Sequence, residues 1–153
     1  GFRVTALSTP HDGTEPVVVV LERCGARAAV LTDLGHPFAA LEELLPTLDA
    51  VILESNHNRE MLARGPYPPS LKRRIRSNSG HIANDEAGAL LRDHAGDRLT
   101  SVLLSHLSET NNRPAMAYDE VLAIAGERCA AGGVHVEVAP RHTPSTVLEV
   151  CRR

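Results

Sequence analysis

Tryptophan is absent from this chain, and with two Tyr and two Phe the aromatic share is only 3%. The core must therefore be built from Val, Leu, Ile and Ala, and rows of rings on which unpaired bases could stack are excluded. No apolar run approaches the roughly 18 residues that cross a bilayer, and the N-terminus carries no charged segment followed by a long apolar one. A soluble, cytoplasmic chain with no membrane partner is expected. The three cysteines, Cys24, Cys129 and Cys151, are an odd number without a Cys-x-x-Cys spacing. That pattern argues against a disulfide framework and for reduced thiols that fill the core. Acidic and basic tails are missing too, and the formal net charge of -3 argues against holding polyanions by bulk attraction. Compact metal signatures such as His-x-His, His-Glu-x-x-His and paired Cys-x-x-Cys are also absent, so no single segment encodes a complete metal site.

What is present suits one α/β unit: 153 residues, of which 42% are hydrophobic and 23% charged. Short apolar runs alternate with helical patterns, and there are no internal repeats. "FRVTAL", "VVVVLE" and "ARAAVLT" read as strands, with the turn-rich "TPHDGTEP" joining the first two. "PFAALEELLPTL" has Phe38, Leu41, Leu44 and Leu45 at helical spacing, and "DAVILES" returns as a strand. This strand, helix, strand order predicts a parallel pair with a right-handed crossover. Two short helices follow, one ended by Gly65 and one over "PYPPSLKRRI". "NDEAGALLRDHAG" then reads as a helix with Asn84 and Asp85 as candidate caps. "LTSVLLS" is the next strand, "RPAMAYDEVLAIAGERCA" the clearest helix, and "VHVEVA" the final strand. The tail "TPSTVLEVCRR" has no single reading.

Four of these strands end in chemistry. "VTALSTPHD" leads to His11, "AAVLTDLG" to Asp33, "AVILESNH" to Glu54 and His57, and "SVLLSHLS" to His106. Ligand sites in open α/β sheets gather beyond the carboxyl ends of strands, so these groups are placed to converge. Imidazole nitrogen and carboxylate oxygen together suit zinc, manganese or iron, and a carboxylate can bridge two ions. A metal site is the reading this pattern supports. Taken singly, each histidine is more often a surface or hydrogen-bonded structural residue. His36, His94, His135 and His142 show no convergent pattern and are read as structural.

The run "ESNHNREMLARGPYPPSLKRRIRSNSGHIANDEAGALL", followed by "LLSHLSETNNRP", resembles the YycJ/WalJ-type branch of metallo-β-lactamase-fold hydrolases. "STPHDGTEPV" and "LTDLG" match upstream motifs in the expected order, and the similarity runs from about residue 2 to near the C-terminus. The resemblance implies that His11 and His106 are metal ligands and that Asp33 bridges two ions. It implies that His81, in "SGHIAND", acts on the scissile phosphate or its leaving oxygen. His57 matches a motif position and is read as structural or hydrogen-bonding.

These hydrolases begin with a half-domain carrying His-x-His-x-Asp-His, which supplies four of the usual seven ligands, and that motif is missing here. Residues 1 to 153 are therefore expected to be the second, C-terminal half of one αββα sandwich. The start at Gly1, directly in a strand-like run, also points to a fragment. With three ligands the chain is expected to bind two divalent ions, zinc or manganese, only weakly.

Three functions follow from this reading. The chain is part of a metal-dependent phosphodiesterase or exonuclease acting on DNA, or of a hydrolase of a small ester, thioester or lactone. The third is an inactive half-domain that pairs with its missing N-terminal half or with itself. The basic run Lys72, Arg73, Arg74 and Arg76 is a candidate contact to a nucleic-acid backbone, against the plainer reading of a solvated helix face. Asn111 and Asn112 are expected to brace the His106 loop or the ligand, and Asp12 to support His11.

Overall fold

The computed structural model describes residues 1–150. Six strands form one sheet in chain order: β1 (Arg3–Ser8), β2 (Val17–Arg23), β3 (Ala26–Leu31), β4 (Ala50–Glu54), β5 (Ser101–Ser105) and β6 (His135–Val138). β1, β2 and β3 pair antiparallel, whereas β3 through β6 run parallel. β2 and β3 are joined by the two-residue turn Cys24–Gly25, with φ of 51° and 81°. Two positive φ values match the twist of a tight hairpin. Cys24 is thus an exposed turn residue rather than core filler, Cys129 is buried, and Cys151 lies outside the described residues.

The parallel strands are linked by helices. α1 (Ala39–Leu44) follows β3, and a 3-10 turn over Leu45–Thr47 closes it before β4. The single helix expected over residues 37–48 breaks there because Pro46 lacks an N–H and its ring clashes with the preceding turn. Between β4 and β5 come α2 (Arg59–Arg64), α3 (Pro69–Ile75) and α4 (Asn84–His94), and α5 (Pro114–Gly132) precedes β6. Asn84 and Asp85 lie inside the first turn of α4, and Ala83 caps it. The Glu86 carboxylate accepts the Ala83 N–H at 2.8 Å. α5 ends at Gly133, whose φ of 61° is the left-handed cap that glycine takes freely.

One face of the sheet carries the core. Val18, Val20, Leu31, Leu53 and Leu104 alternate inward and pack with Leu41, Leu91, Val121 and Ala125 from the helices. Each such valine or leucine side chain, fully buried, contributes about 1.5 to 3 kcal/mol. The opposite face is also apolar but poorly covered. Val4, Val17 and Leu21 are 62%, 46% and 36% exposed, and Val19, Val30 and Ile52 are half-buried. Leu148 and Val150 line a small cavity of about 190 Å³ on that face. Among the described residues, the tail from 139 onward forms no helix or strand. No helix among them is long and apolar enough to cross a membrane.

Candidate metal centre

The carboxyl ends of β3, β4 and β5 and the β1–β2 loop meet at one edge of the sheet. Asp33 Oδ1 lies 3.4 Å from His11 Nε2, 3.8 Å from His106 Nε2 and 3.9 Å from His81 Nδ1. His11 and His106 are held in the same way from behind. His11 Nδ1 hydrogen-bonds the Gly80 carbonyl at 2.8 Å, and His106 Nδ1 hydrogen-bonds Glu54 Oε1 at 2.9 Å. A carbonyl or carboxylate behind Nδ1 fixes the tautomer that leaves Nε2 as a bare lone pair. Both Nε2 atoms then face the same carboxylate oxygen, a donor set that suits divalent ions of the zinc and manganese kind.

Two of these residues stand in a backbone region that side chains seldom adopt. Asp33 and His106 both have φ of 57°, and such left-handed residues cluster where surrounding structure holds them in place. Here a side chain grips each carbonyl. Thr9 Oγ1 donates to the Asp33 carbonyl at 2.9 Å, and Asn56 Nδ2 donates to the His106 carbonyl at 2.9 Å. Beside Asp33, a Cβ on Gly35 would collide with the carbonyls of Pro10 and Asn78. That close approach locks the Asp33 loop against the segment leading to His81.

His81 is oriented differently. Its Nδ1 hydrogen-bonds Glu54 Oε1 at 2.7 Å, which leaves Nε2 as its unengaged nitrogen. Its ring lies between the others, with centroids 4.8 Å from His11 and 5.2 Å from His106. Glu54 underlies both His81 and His106 and is fully buried, and its second oxygen accepts the Leu34 N–H at 2.6 Å. Burial alone would push this carboxyl up, but hydrogen bonds from His106, His81 and Leu34 outweigh it and hold it below its ordinary value. The same Glu54 bond, working against burial, raises His106. With both oxygens engaged, Glu54 serves as a support for imidazoles rather than as a ligand. The sequence marked Glu54 only as a strand end; the role comes from partners 27 and 52 residues away.

An open cleft of about 1000 Å³ covers this centre. Of the basic run, Arg74 lines it, whereas Lys72, Arg73 and Arg76 do not. Lys72 donates to the Ala63 carbonyl, and Arg76 to that of Lys72. Arg74 makes a two-pronged bond to Asp12 at 2.5 and 2.9 Å, which draws the Asp12 carboxyl below its ordinary value. Asp12 in turn lies 3.6 Å from His11 Nε2.

Asn112 is buried and donates to the carbonyls of Ser55 and Asn56 at 2.8 and 3.0 Å, tying the His106 loop to the end of β4. Asn111 acts through its main chain, accepting from the Asn58 N–H, and its side chain has no hydrogen-bond partner among the described residues. His142 lines the cleft, and His36, His94 and His135 do not. Among the described residues, Tyr67 is the one Phe or Tyr on its walls.

His57 is 1% exposed, and neither ring nitrogen has a partner among the described residues, so its role is packing and not side-chain hydrogen bonding. Burial pulls its imidazole from 6.5 down to about 4. An unfolded chain takes up that proton first as pH falls, so the stability His57 contributes in neutral form is complete above its ordinary value. That stability is lost between about pH 6.5 and 4 and amounts to roughly 3 kcal/mol. Urea unfolding of wild type and His57→Leu at pH 7.5 and pH 4 should show a flatter acid limb in the variant. Equal acid sensitivity would refute the assignment.

A six-stranded mixed sheet with helices on one face and a His/Asp cluster at its edge defines a metallo-β-lactamase-fold protein. Its solved neighbours bear this out. The metallo-β-lactamase fold protein YhfI from Bacillus subtilis superposes with a TM-score of 0.62 at 16% identity, over 90% of this chain and 46% of that one. Zn(2+)-bound PqqB from Methylobacterium extorquens gives 0.58 at 18% identity, over 96% of this chain and 51% of that one. Within this fold its sequence is similar to that of the YycJ-type branch. It is 32% identical over 137 residues to exodeoxyribonuclease YycJ of Bacillus anthracis, a match over 90% of this chain and 52% of that relative. The chain thus spans about half the length of the curated relative it matches. No protein-family model matches it.

Proposed function

We propose that this chain is part of a dinuclear metal-dependent phosphodiesterase acting on DNA, and that it is the C-terminal half of one metallo-β-lactamase-fold domain. The observation that carries the reading is the pair of imidazoles anchored through Nδ1, with both Nε2 atoms aimed at Asp33. His11, Asp33 and His106 would hold the ions. When bound, divalent ions supply Lewis acidity and lower the pKa of a coordinated water. The remaining work falls to the chain's own groups. Glu54 holds the His81 ring by Nδ1, and in the doubly protonated ring the Nε2–H would donate to a leaving oxygen or to charge developing on a phosphoryl oxygen. The kinship with an exodeoxyribonuclease supports a DNA substrate.

Three ligands are too few for two ions, since a catalytic zinc keeps at least three protein ligands of its own. The match to about half of the relative and the exposed apolar sheet face favour a second half-sandwich that supplies the rest. Residues 1–153 alone are therefore expected to bind metal weakly, to self-associate and to be inactive. The experiment is a comparison of substrates by the complete protein, stripped with chelator and then reloaded with zinc or manganese. Hydrolysis of a DNA oligonucleotide and of bis(p-nitrophenyl) phosphate should appear only on reloading. Hydrolysis of a lactone or thioester in place of both would assign the site to small acyl substrates.

A further inference from the structure

The three imidazoles of the centre lie in a row, His11, His81, His106, and each end of the row is flanked by one guanidinium. At the His11 end stands Arg74, fastened to Asp12 by two hydrogen bonds. At the His106 end stands Arg141, which follows β6 and donates through Nη2 to the Leu107 carbonyl, one residue beyond His106. Both line the cleft. Their charges are not equally available. The Arg74 charge is neutralised by a carboxylate, while Arg141 forms an ion pair with no carboxylate among the described residues and spends one donor on a carbonyl. An arginine has five N–H donors in a planar fork that fits phosphate oxygens. The other carboxylates on the cleft walls are Asp33, within the His cluster, and Glu109. Glu109 would repel an anion on the same rim, so a cation there has an electrostatic task.

We propose that Arg141 is the principal phosphate-holding residue of the cleft: it takes a backbone phosphate next to the scissile one at the His106 end, and Arg74 guides the strand at the His11 end. The inference rests on the phosphodiesterase reading and goes beyond it by naming the side of the centre where the nucleic-acid backbone is gripped. It moves the contact from the conspicuous basic run at residues 72 to 76 to a lone arginine near the end of the chain. Arg141 is exposed, so its replacement leaves the core intact.

The test is equilibrium binding of a fluorescein-labelled single-stranded DNA oligonucleotide to the complete protein, with calcium in place of catalytic metal, across a sodium chloride series. Losing one phosphate contact should lower the slope of log K against log salt by about 0.7 to 1. Arg141→Ala should also weaken binding on the order of tenfold at low salt. Arg141→Lys should keep the slope, because the charge is retained, which separates loss of a phosphate contact from disturbance of the His106 loop. If Arg141→Ala keeps the wild-type affinity and slope while the wild type binds DNA, the assignment of Arg141 fails and the nuclease reading stands. If the wild type binds no oligonucleotide at any salt, the nuclease reading fails and Arg141 falls with it.

Discussion

Replacing Glu54 by alanine is expected to cost the complete protein about 3 to 5 kcal/mol of stability and to release the His81 and His106 rings. The carboxylate is fully buried and accepts three hydrogen bonds, from the Leu34 N–H, His81 Nδ1 and His106 Nδ1. Alanine leaves all three donors without an acceptor and opens a cavity beneath the two imidazoles. Its lowered carboxyl carries a sign as well. The stability it contributes is present above the ordinary carboxylate value and is lost as pH falls through the depressed one. Glu54→Gln isolates the positioning role. Glutamine keeps the volume but offers one oxygen to three donors, so its amide NH2 confronts either the Leu34 N–H or the two imidazole N–H groups. It should unfold less readily than the alanine variant yet lose about 10- to 100-fold in metal affinity, as outer-shell changes do. Denaturant unfolding and competitive zinc titration measure the two effects separately. An alanine variant within 1 kcal/mol of wild type would show that Glu54 is not the keystone of the centre.

The sequence disclosed the framework because its local signals agree with one another. The run of β-branched residues in "VVVVLE", Pro114 at the start of α5 and Gly133 after its end each mark an element that forms where they place it. Pro46 was visible too, but its consequence, a 3-10 turn in place of the last helical turn, depends on how α1 meets β4. At the site, strand-end logic gathered His11, Asp33 and His106, since residues just past parallel strands are forced toward one edge. What stayed hidden depends on distant contacts. Asn84 has the composition of a helix cap, yet it is fully buried, bonded to Ser55 and Asn112, and Ala83 takes the cap position. Asn56 gains its hold on His106 only when β4 and β5 lie side by side. Arg141 reaches the cleft by the path the chain takes after β6, and nothing in "APRHTPS" marks that path.

Asp33→Asn should be the most damaging single change to catalysis and one of the least damaging to the fold. The Asp33 side chain is 44% exposed and meets three imidazoles, through one oxygen, at 3.4 to 3.9 Å. Asparagine keeps that shape and tolerates the φ of 57° at this position, so stability should change by less than about 1 kcal/mol. Alanine is the poorer probe, because a left-handed backbone costs it roughly 1 to 2 kcal/mol and mixes strain with loss of the ligand. What asparagine removes is the one negative charge that His11 and His106 share, and with it the group able to bridge two cations. Metal-centred stabilisation of phosphoryl chemistry is worth several kcal/mol, so turnover of a DNA oligonucleotide should fall on the order of 10³-fold. Metal analysis of the purified variant should show reduced occupancy, while the chelator-stripped variant and wild type melt at the same temperature. A variant with full metal content and full turnover would place the ions away from Asp33. A stripped variant that melts earlier than the stripped wild type would instead make Asp33 part of the scaffold, and His11 and His106 would then have to hold metal without it.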